Sequence, residues 1–333
     1  MTAPEINDPL RNNIKVNGNV GPVSGVDVPR FGGHTTFARL PRIEDVSNYD
    51  VAILGAPFDA GVSYRSGARF GPSHVRQASR LLRPYNPAQD VSPFAKLQVV
   101  DAGDAIMNPF NIEEALIGLE KHATILIDKG KPLFTIGGDH TIALSLLRSL
   151  HKVYGQIALV HFDAHLDTWD TYMNASYTHG TPFRRAWEEK LLAPEKCMHV
   201  GIRGPLYDKE DLASDKKFGF GIVSSIDFNN FSLEEIINKV KTRVGDAPVY
   251  ISIDIDVLDP GFAPGTGTPE MGGFTSRELL SLVRGMPREQ MIGADIVEVA
   301  PAYDHAEITS LAAATLAYEI MSLMALNATD KEG

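Results

Sequence analysis

The sequence predicts an α/β protein with a mostly parallel sheet that is covered by helices on both faces. After residue 45, short runs rich in Val, Ile and Leu alternate with longer helical patterns. Continuous apolar strands of this kind are typical of sheets buried on both sides. No Pro- or Ser-rich linker interrupts the alternation. We therefore expect a single domain over residues 46–333, with ligands bound at the carboxyl ends of the strands.

Seven apolar runs are the candidate strands, and helical patterns separate several of them. The strand candidates cover residues 49–55, 97–101, 132–138, 156–163, 197–202, 248–254 and 291–299. The helix candidates cover residues 111–130, 141–155 and 232–245. Ser232 and Glu235 form a capping-box pattern at the start of the third helix, and Gly245 predicts its end.

The two ends of the chain differ in amino-acid composition. Residues 1–45 are rich in Pro, Gly and Asn with little periodicity, which predicts an arm that lies on the surface or on a neighbouring subunit. Residues 311–326 are strongly apolar, but this segment is shorter than the ~20 residues of a membrane span and contains Glu319. We interpret it as a buried C-terminal helix.

The amino-acid composition and net charge indicate which classes of protein this chain can belong to. Of the 333 residues, 44% are hydrophobic and 22% are charged, which is ordinary for a soluble globular enzyme. The formal net charge of −11 argues against nucleic acid and anionic membranes as partners. Cys197 is the only cysteine, so no intrachain disulfide forms, and the amino terminus lacks the basic-then-apolar pattern of a signal peptide. We expect a cytoplasmic protein.

Histidines and carboxylates cluster directly after three of the candidate strands. In an extended chain, Asp163, His165 and Asp167 project to one side, and Asp254 and Asp256 likewise share a side. The clusters contain Asp139 and His140, then Asp163, His165 and Asp167, then Asp254, Asp256 and Asp259. Because the carboxyl ends of parallel strands open on one edge of a sheet, we expect the three clusters to converge.

The converging groups have the composition of a site for two metal ions. Carboxylates buried together repel each other strongly unless cations compensate them. A single zinc ion needs three or four ligands, usually richer in His or Cys, whereas six ligands that can bridge suit two divalent ions roughly 3.5 Å apart. The oxygen-rich set favours manganese, and the imidazoles also admit nickel, cobalt or zinc. The six predicted ligands are His140, Asp163, His165, Asp167, Asp254 and Asp256.

The clusters belong to motifs that resemble the signatures of the ureohydrolase superfamily, which includes arginase, agmatinase and the guanidino-acid hydrolases. The motifs are GGDH (137–140), DAHLD (163–167) and SIDIDVLDP (252–260). Further segments at 56–76, 178–186, 262–273 and 296–314 resemble the agmatinase-type branch. Residues 28–41 look like the arm of guanidinobutyrase and guanidinopropionase, so the likeness covers nearly all of the chain.

The resemblance implies an arginase-like fold, a three-layer α/β/α sandwich around a mostly parallel eight-stranded sheet. It also implies a binuclear manganese centre, with nickel as the alternative, at which a metal-bridging hydroxide attacks the guanidinium carbon and releases urea and an amine. One ion would be held by His140, Asp163, Asp167 and Asp254, and the other by Asp163, His165, Asp254 and Asp256. Agmatinase-type members are commonly hexamers, so we expect a homo-oligomer, either a trimer or a hexamer.

Three more residues are expected to act beside the ligands. Glu298 matches the family position that pairs with the substrate guanidinium, and His179 matches the histidine proposed to shuttle protons. Outside these motifs, Glu298 would be a cap or surface charge and His179 an exposed loop histidine. His161 lies deeper in its strand than Asp163, and we interpret it as a support behind the ligands.

The loop that follows Asp167 is expected to bind the rest of the substrate. In arginase-like relatives this loop contacts the amino-acid end of the substrate. Here Trp169 and Tyr172 could pack against an aliphatic chain, and Asn174 could hydrogen-bond a polar terminus. Each of the three could equally be ordinary loop packing.

The expected substrate is a guanidino acid such as 4-guanidinobutyrate or 3-guanidinopropionate, with agmatine as the alternative, followed by guanidine or another small or alkylated guanidine. Arg184 and Arg185 could attract a carboxylate, but Glu188 and Glu189 offer i, i+4 partners that favour a surface ion pair for at least one of them. His34 stands where guanidino-acid hydrolases tend to have an aliphatic residue, which departs from a simple guanidinobutyrate pocket.

Two other functions remain open at this point. A mononuclear zinc amide hydrolase of the deacetylase kind would share the fold, but a single-metal site would not need His140 and Asp167 together with the other clusters. A non-catalytic partner subunit would share the assembly, but such subunits typically lose ligands, and this chain has all six. The sequence therefore favours a two-metal hydrolase.

Overall fold

The computed structural model describes residues 10–330, and within this range the chain has ten strands and nine α-helices. The strands are β1 Asn13–Val16, β2 Asn19–Val23, β3 Val51–Ala56, β4 Val99–Asp104, β5 Leu133–Gly137, β6 Ala158–Phe162, β7 Met198–Ile202, β8 Gly221–Ser224, β9 Val249–Asp254 and β10 Met291–Val297. The helices are α1 Gly71–Ala78, α2 Pro93–Lys96, α3 Ile112–Leu126, α4 Ala143–Tyr154, α5 Pro182–Glu188, α6 Glu210–Phe218, α7 Leu233–Val244, α8 Ser276–Arg284 and α9 Ile308–Asp330.

The main sheet has eight strands in the order β4-β3-β5-β10-β9-β6-β7-β8. All of its strand pairs are parallel. Alternate residues of a strand point to opposite sides, so each strand contributes to two apolar layers. Val51 and Ile53 pack in the layer of α1, α2, α7, α8 and α9, whereas Ala52 and Leu54 pack in the layer of α3, α4 and α5. The three-layer α/β/α arrangement is thereby confirmed.

Local sequence signals explain most of these elements. The seven predicted strands and three predicted helices are all present, and the backbone N–H of Glu235 donates to the side chain of Ser232 at the start of α7. Strand β8 escaped prediction because it has four residues, of which only Val223 is buried. An edge strand of this length lacks the continuous apolar run that marks the central strands.

The amino-terminal segment packs on its own chain. Strands β1 and β2 form a hairpin whose turn, Asn17-Gly18, has the positive φ angles of 54° and 81° that an Asn-Gly hairpin turn requires. The Gln98 side chain accepts from the Val20 N–H at 2.8 Å and donates to the Val20 carbonyl at 2.9 Å. Phe37 is fully buried in the core. The predicted arm begins with residues 1–9, which lie outside the described residues, and its contact with a neighbouring subunit stays a prediction.

Helix α9 is the buried C-terminal helix that the sequence predicts. Residues 308–328 have the length and apolar composition of a membrane span, but an 18-residue stretch of them, with a mean hydropathy of 1.4, is 78% buried within the fold. Within residues 308–328 the single carboxylate, Glu319, accepts from the Asn86 and Gln89 side chains at 3.0 and 2.6 Å and from Arg284 at 2.6 Å. Neutral and cationic donors thus satisfy this charge in an apolar helix.

Candidate metal centre and active site

The three polar clusters converge at the carboxyl edge of the sheet, as the sequence predicts. Strands β5, β6 and β9 end there, and β10 lies between β5 and β9. Gly138 permits the tight exit from β5, since a Cβ at this position would lie 1.8 Å from the Phe58 carbonyl oxygen. Five of the six predicted ligands are at most 9% exposed, and the sixth, His165, has a side chain that is 26% exposed.

His140 is the centre of the more deeply buried half. Its Nδ1 lies 2.9 Å from Asp167 Oδ2, 3.2 Å from Asp163 Oδ2 and 3.4 Å from Asp254 Oδ2. Burial lowers the pKa of His140, but the three carboxylates outweigh this and raise the pKa well above its ordinary value. The contacts therefore demand a positive charge at Nδ1, which either a proton or a metal ion supplies.

A hydrogen-bond chain behind His140 decides which ring nitrogen carries a hydrogen. The Tyr250 and Ser252 hydroxyls donate to the Asp295 carboxylate at 2.5 and 2.7 Å. Because the Ser252 hydrogen is used in this way, its Oγ accepts from His140 Nε2 at 2.8 Å. In the neutral ring, His140 Nδ1 then presents a lone pair to the carboxylates, as a metal-ligating histidine does when its other nitrogen is held by a hydrogen bond.

His165 is the centre of the second, more accessible half. Its Nδ1 lies 3.1 Å from Asp256 Oδ2 and 3.3 Å from Asp163 Oδ1. Asp163 therefore contacts both histidines, with one carboxylate oxygen directed to each. Two groups of ligand atoms are close enough to hold an ion, and Asp163 belongs to both: His140, His161, Asp163 and Asp167 form one, and Asp163, His165 and Asp256 form the other.

The charges at this edge fit divalent cations. Burial and the neighbouring Asp256 and Asp163 carboxylates raise the pKa of Asp254 well above its ordinary value. Burial and Asp163 likewise raise the pKa of Asp256. Among residues 10–330, no Lys or Arg forms an ion pair with the carboxylates of this cluster. Carboxylates crowded in this way, together with a histidine lone pair, suit hard divalent ions better than they suit protons alone.

Glu298 and His179 lie side by side next to the cluster. Glu298 Oε1 accepts from the His140 backbone N–H at 2.9 Å and lies 3.0 Å from His179 Nδ1. Its Oε2 is buried and has no hydrogen-bond partner among the described residues. Glu298 also adopts a left-handed backbone with φ of 63°, as does Asp167 with φ of 56°. Such conformations cost roughly 1–3 kcal/mol and concentrate at functional sites.

The surroundings of His179 allow both protonation states. Burial lowers the pKa of His179, but the Glu298 carboxylate outweighs this effect and raises the pKa to about 9. In the neutral ring, Nε2 accepts from the Ser63 backbone N–H at 3.1 Å. In the protonated ring, Nε2–H has the Ser63 Oγ as its acceptor at 2.7 Å. His179 can therefore take up and return a proton without losing its polar contacts.

Asp139 links the GGDH motif by hydrogen bonds to the loop that contains Ser63. Its carboxylate accepts from the Gly61 N–H at 2.8 Å and from the Thr141 N–H at 3.0 Å. The Gly61 carbonyl in turn accepts from the His179 N–H at 3.0 Å. Burial and the Glu298 carboxylate raise the pKa of Asp139 to about 7. This residue thus positions the loop beside His179.

A cavity of about 310 Å³ opens onto the accessible half of the cluster. His165, Asp167, Asp254 and His179 form its inner wall. Its outer wall includes Trp169, Leu206, Tyr207 and Glu270. None of the described residues that line it is a Lys or an Arg.

Of the three residues predicted to contact the substrate, Trp169 lines the cavity and the other two do not. Trp169 lines the cavity and stacks on Tyr172, with ring centroids 5.9 Å apart and an interplanar angle of 17°. Tyr172 itself does not line the cavity, and Asn174 lies at an exposed turn with φ of 64°. Gly180 accommodates the indole, because a Cβ there would lie 2.9 Å from Trp169 Cε3.

The base of this loop is closed by backbone hydrogen bonds. The Trp169 N–H donates to the Gly180 carbonyl at 3.1 Å, and the Phe183 N–H donates to the Asp167 carbonyl at 3.1 Å. At the tip, the N–H of Tyr172 donates to the Ala175 carbonyl at 3.0 Å. The loop therefore leaves the site after Asp167 and returns to it at Gly180, so its two ends lie close together.

The two arginines of α5 form ion pairs with side chains of the chain itself. Arg184 pairs with Glu188 at 2.8 Å, which confirms the surface ion pair expected for at least one of them. Arg185 pairs with Asp170 at 2.6 Å and with Glu188 at 3.1 Å. His34 is exposed, with its Nδ1 3.3 Å from an Arg42 nitrogen. None of these groups lines the cavity.

The sequence analysis did not single out several residues that line the cavity. Ser63 and Glu270 lie inside motifs that carry the family resemblance, but nothing in their local sequence indicates an inward position. Gly204, Leu206 and Tyr207 follow the end of β7. The rule that ligands bind at the carboxyl ends of strands was the available signal for this last group.

Comparison with known proteins identifies the family to which a chain with this fold and this cluster of His and Asp residues belongs. The sequence model described as the arginase family matches residues 49–323. The chain is 42% identical to guanidinobutyrase of Pseudomonas aeruginosa over 306 residues, which cover 91% of this chain and 96% of that protein. It is 40% identical to guanidinopropionase of the same species over 308 residues, with coverages of 92% and 96%.

A solved structure gives the same result. Proclavaminate amidinohydrolase from Streptomyces clavuligerus matches with a TM-score of 0.85 and 38% identity, covering 90% of this chain and 100% of that chain. The protein belongs to the arginase family, whose members are hydrolases that act on guanidino C–N bonds at a site for two divalent metal ions.

Proposed function

We propose that the protein hydrolyses a guanidino acid to urea and an amine, with two manganese ions as its cofactor. The observation that carries the proposal is the pair of ligand groups that share Asp163 and lie beside the unpartnered oxygen of Glu298. The likeness to guanidinobutyrase and guanidinopropionase supports a guanidino acid such as 4-guanidinobutyrate or 3-guanidinopropionate as the substrate.

The chain's six ligands divide between the two ions. His140 and Asp167 belong to the buried ion, and His165 and Asp256 belong to the accessible one. Asp163 and Asp254 are the residues that we assign to both. Two bound divalent ions would supply a water molecule of lowered pKa as the nucleophile. The oxygen-rich ligand set favours manganese, with nickel as the alternative.

The remaining site residues have roles that follow from their contacts. Glu298 Oε2 accepts an N–H of the substrate guanidinium, because it is buried, anionic and without another partner. Glu298 thereby orients the guanidinium carbon toward the ligand cluster. His179, bound to Glu298 through Nδ1, donates its Nε2 proton to the leaving amine nitrogen and is itself reprotonated through the cavity. Trp169 packs against the aliphatic part of the substrate.

One observation favours agmatine as a second candidate. A guanidino acid carries a carboxylate, yet the described wall of the cavity has no Lys or Arg and includes Glu270, whose side chain is 30% exposed. An anionic wall of this kind attracts a cationic amine tail more strongly than a carboxylate. Guanidine itself and other small or alkylated guanidines come after agmatine.

Assembly and location complete the proposal. We assign the protein to the cytoplasm, which agrees with its single cysteine, Cys197, being buried and free. We also propose a homo-oligomer, either a trimer or a hexamer, and no nucleic-acid or membrane partner. Size-exclusion chromatography with light scattering measures the number of chains.

A urea-release screen tests the function. The metal-free protein is reconstituted separately with manganese, nickel and zinc and offered 4-guanidinobutyrate, 3-guanidinopropionate, agmatine, arginine and guanidine. We expect two ions per chain and the fastest urea release from a guanidino acid with manganese. Faster release from agmatine would select the second candidate. Protein that holds two ions but releases urea from no compound, or that holds one zinc ion and deacetylates an amide, would overturn the proposal.

A further inference from the structure

A chain of buried polar side chains runs from the metal centre to helix α6 and has no role in the proposed reaction. His161 Nε2 lies 2.7 Å from Asp163 Oδ2, and His161 Nδ1 lies 2.7 Å from His199 Nδ1. His199 Nε2 lies 3.4 Å from Asp215 Oδ2. The Thr168 hydroxyl donates to Asp215 Oδ1. His161, His199 and Asp215 are all 0% exposed.

The fold places these groups together through strand register. Strands β6 and β7 are parallel neighbours in which His161 pairs with His199. Asp163 follows His161 by two residues and therefore lies on the same face. Phe183 and Phe220 pack against the two imidazole rings, with centroid distances of 4.4 Å to His161 and 4.9 Å to His199. The chain is thus fully buried, and every hydrogen bond in it needs one donor and one acceptor.

The end at Asp215 fixes the direction of the hydrogen bonds. Among the described residues, its carboxyl group contacts Thr168 and His199 and no Lys or Arg. Burial raises the pKa of Asp215 to about 7, and the Asp211 and Asp167 carboxylates add to this effect while Thr168 opposes it. Burial also holds the pKa of His199 well below its ordinary value. Burial therefore favours the uncharged form of both groups, and an uncharged Asp215 has a hydrogen to donate.

The two atoms that face each other across this contact support the same direction. His199 Nε2 and Asp215 Oδ2 are both buried and lie 3.4 Å apart, and neither has an assigned hydrogen-bond partner among residues 10–330. An ionised carboxylate opposite an unprotonated ring nitrogen would place two lone pairs together, so one hydrogen must lie between them. If Asp215 donates it, His199 carries its own hydrogen on Nδ1 and donates to His161.

We propose that His199 and Asp215 are positioning residues for the metal centre. A neutral Asp215 donates to His199, His199 donates to His161, and His161 donates through Nε2 to Asp163, so the chain orients the carboxylate that both ions share. This inference rests on the proposed function in one respect, which is that Asp163 is a metal ligand. Outer groups of this kind typically change metal affinity or activity by about 10–100-fold when they are removed.

Paired substitutions test the role by metal affinity. His199→Leu and Asp215→Leu remove the donors and acceptors, and we expect Mn²⁺ affinity to fall by about 10–100-fold. His199→Gln and Asp215→Asn are the matched controls, because an amide both donates and accepts, and we expect affinity close to wild type. Competition with a chromophoric chelator measures affinity, and circular dichroism checks folding. Leucine variants that fold and bind Mn²⁺ as the wild type does would overturn the proposal.

A measurement on the unmutated protein applies even if the leucine variants do not fold. In ¹⁵N-histidine-labelled protein loaded with Zn²⁺, nitrogen chemical shifts report which ring nitrogen is protonated. We expect His199 to carry its hydrogen on Nδ1 with Nε2 unprotonated, and the opposite tautomer, donating to an ionised Asp215, would overturn the proposal. Wild-type protein that binds no divalent ion would overturn the proposed function as well, whereas two bound ions with the opposite tautomer would overturn the positioning role alone.

Discussion

The two halves of the candidate metal centre differ in how the fold holds them. His140 is 0% exposed, and its ring is fixed from behind by Ser252, Asp295 and Tyr250, which are at most 1% exposed. His165 has a side chain that is 26% exposed and lines the cavity. Its Nε2 lies 3.7 Å from Glu270 Oε1, which exceeds hydrogen-bonding distance.

This difference separates retention of metal from contact with substrate. A histidine whose tautomer and ring orientation are fixed in advance binds metal more tightly than one that must be ordered on binding. The accessible half faces the cavity in which we propose that the substrate binds. We therefore expect the ion at His140 to bind more tightly and the ion at His165 to exchange first.

The largest effect is expected from Asp163→Ala, because it removes the ligand that belongs to both halves. Metal content and urea release should fall together, the rate by at least about a thousandfold, as when a catalytic unit is lost. Metal analysis and a urea assay measure the two quantities. Asp259→Asn is the matched control, since this carboxylate of the same motif accepts from the backbone N–H groups of Gly261 and Gly272 and contacts no ligand. Normal turnover by Asp163→Ala would remove the basis for a shared ligand.

The comparison of the halves is tested directly by His140→Asn and His165→Asn. We expect His165→Asn to retain one tightly bound ion and His140→Asn to retain little metal, because the more fixed ligand contributes more to affinity. Titration with Mn²⁺ followed by metal analysis gives the stoichiometry of each variant. Equal losses in the two variants would show that burial and the hydrogen-bond chain do not distinguish the ions.

His179→Asn should leave both ions bound and slow turnover by about a hundredfold, which is the size of effect expected for a proton-transfer residue. The raised pKa of about 9 sets the sign of the pH dependence. A proton donor is active below its pKa, so wild-type kcat/KM should fall as pH rises through about 9, and the variant should lack this limb. An unchanged rate and pH profile would exclude the shuttle.

The same pKa predicts an effect on stability. The folded-state pKa of His179 lies above the ordinary value of 6.5. The ion pair with Glu298 therefore stabilises the fold fully below about pH 6.5 and loses this contribution as pH rises through about 9. Denaturant unfolding of wild type and His179→Asn across this range measures the difference, which should shrink with rising pH.

Asp295→Asn should weaken metal binding at the His140 half by about tenfold, because the carboxylate that accepts from Ser252 and Tyr250 loses its charge. Chelator competition measures the affinity. The control is Asp246→Asn, whose side chain is 94% exposed. If the affinity falls for the ion at His165 and stays unchanged for the ion at His140, the chain supports the accessible half instead.

The smallest effect is expected from Trp169→Leu. The loss of an aromatic contact of about 1 kcal/mol should raise KM about fivefold and leave kcat nearly unchanged. Trp187→Leu is the matched control, because Trp187 packs on Phe218 and does not line the cavity. A large fall in kcat in Trp169→Leu would indicate that the loop also positions the ligands.

The sequence predicted the fold class and the convergence of the ligand clusters, because both depend on patterns that are local to each strand. Asp163, His165 and Asp167 are adjacent in sequence, and their strand end is recognisable from the apolar run before them. The same reasoning missed the β1–β2 hairpin, although Asn17-Gly18 is a strong hairpin signal. The roles of the six ligands remain predictions.

The supports behind the ligands could not be predicted, because they depend on strand register. Asp295 meets Ser252 only because β10 and β9 pair in that register, and His199 meets His161 only through the pairing of β7 with β6. In the sequence, Asp295 is one polar residue inside an apolar run. The position of Trp169 over Gly180 depends likewise on a loop that closes across eleven residues, for which no local pattern exists.

The closed base of the loop between Asp167 and Gly180 affects how enzymes of this family can evolve. Asp167 turns the chain out of the metal centre in a left-handed conformation, and backbone hydrogen bonds return it at Gly180 and Phe183. Insertions, deletions and substitutions at residues 170–177 leave both anchors and His179 in place. Selection can therefore alter which molecule is accepted while the hydrolytic step is inherited intact, and a designer can exchange the same segment between relatives as a single replaceable unit.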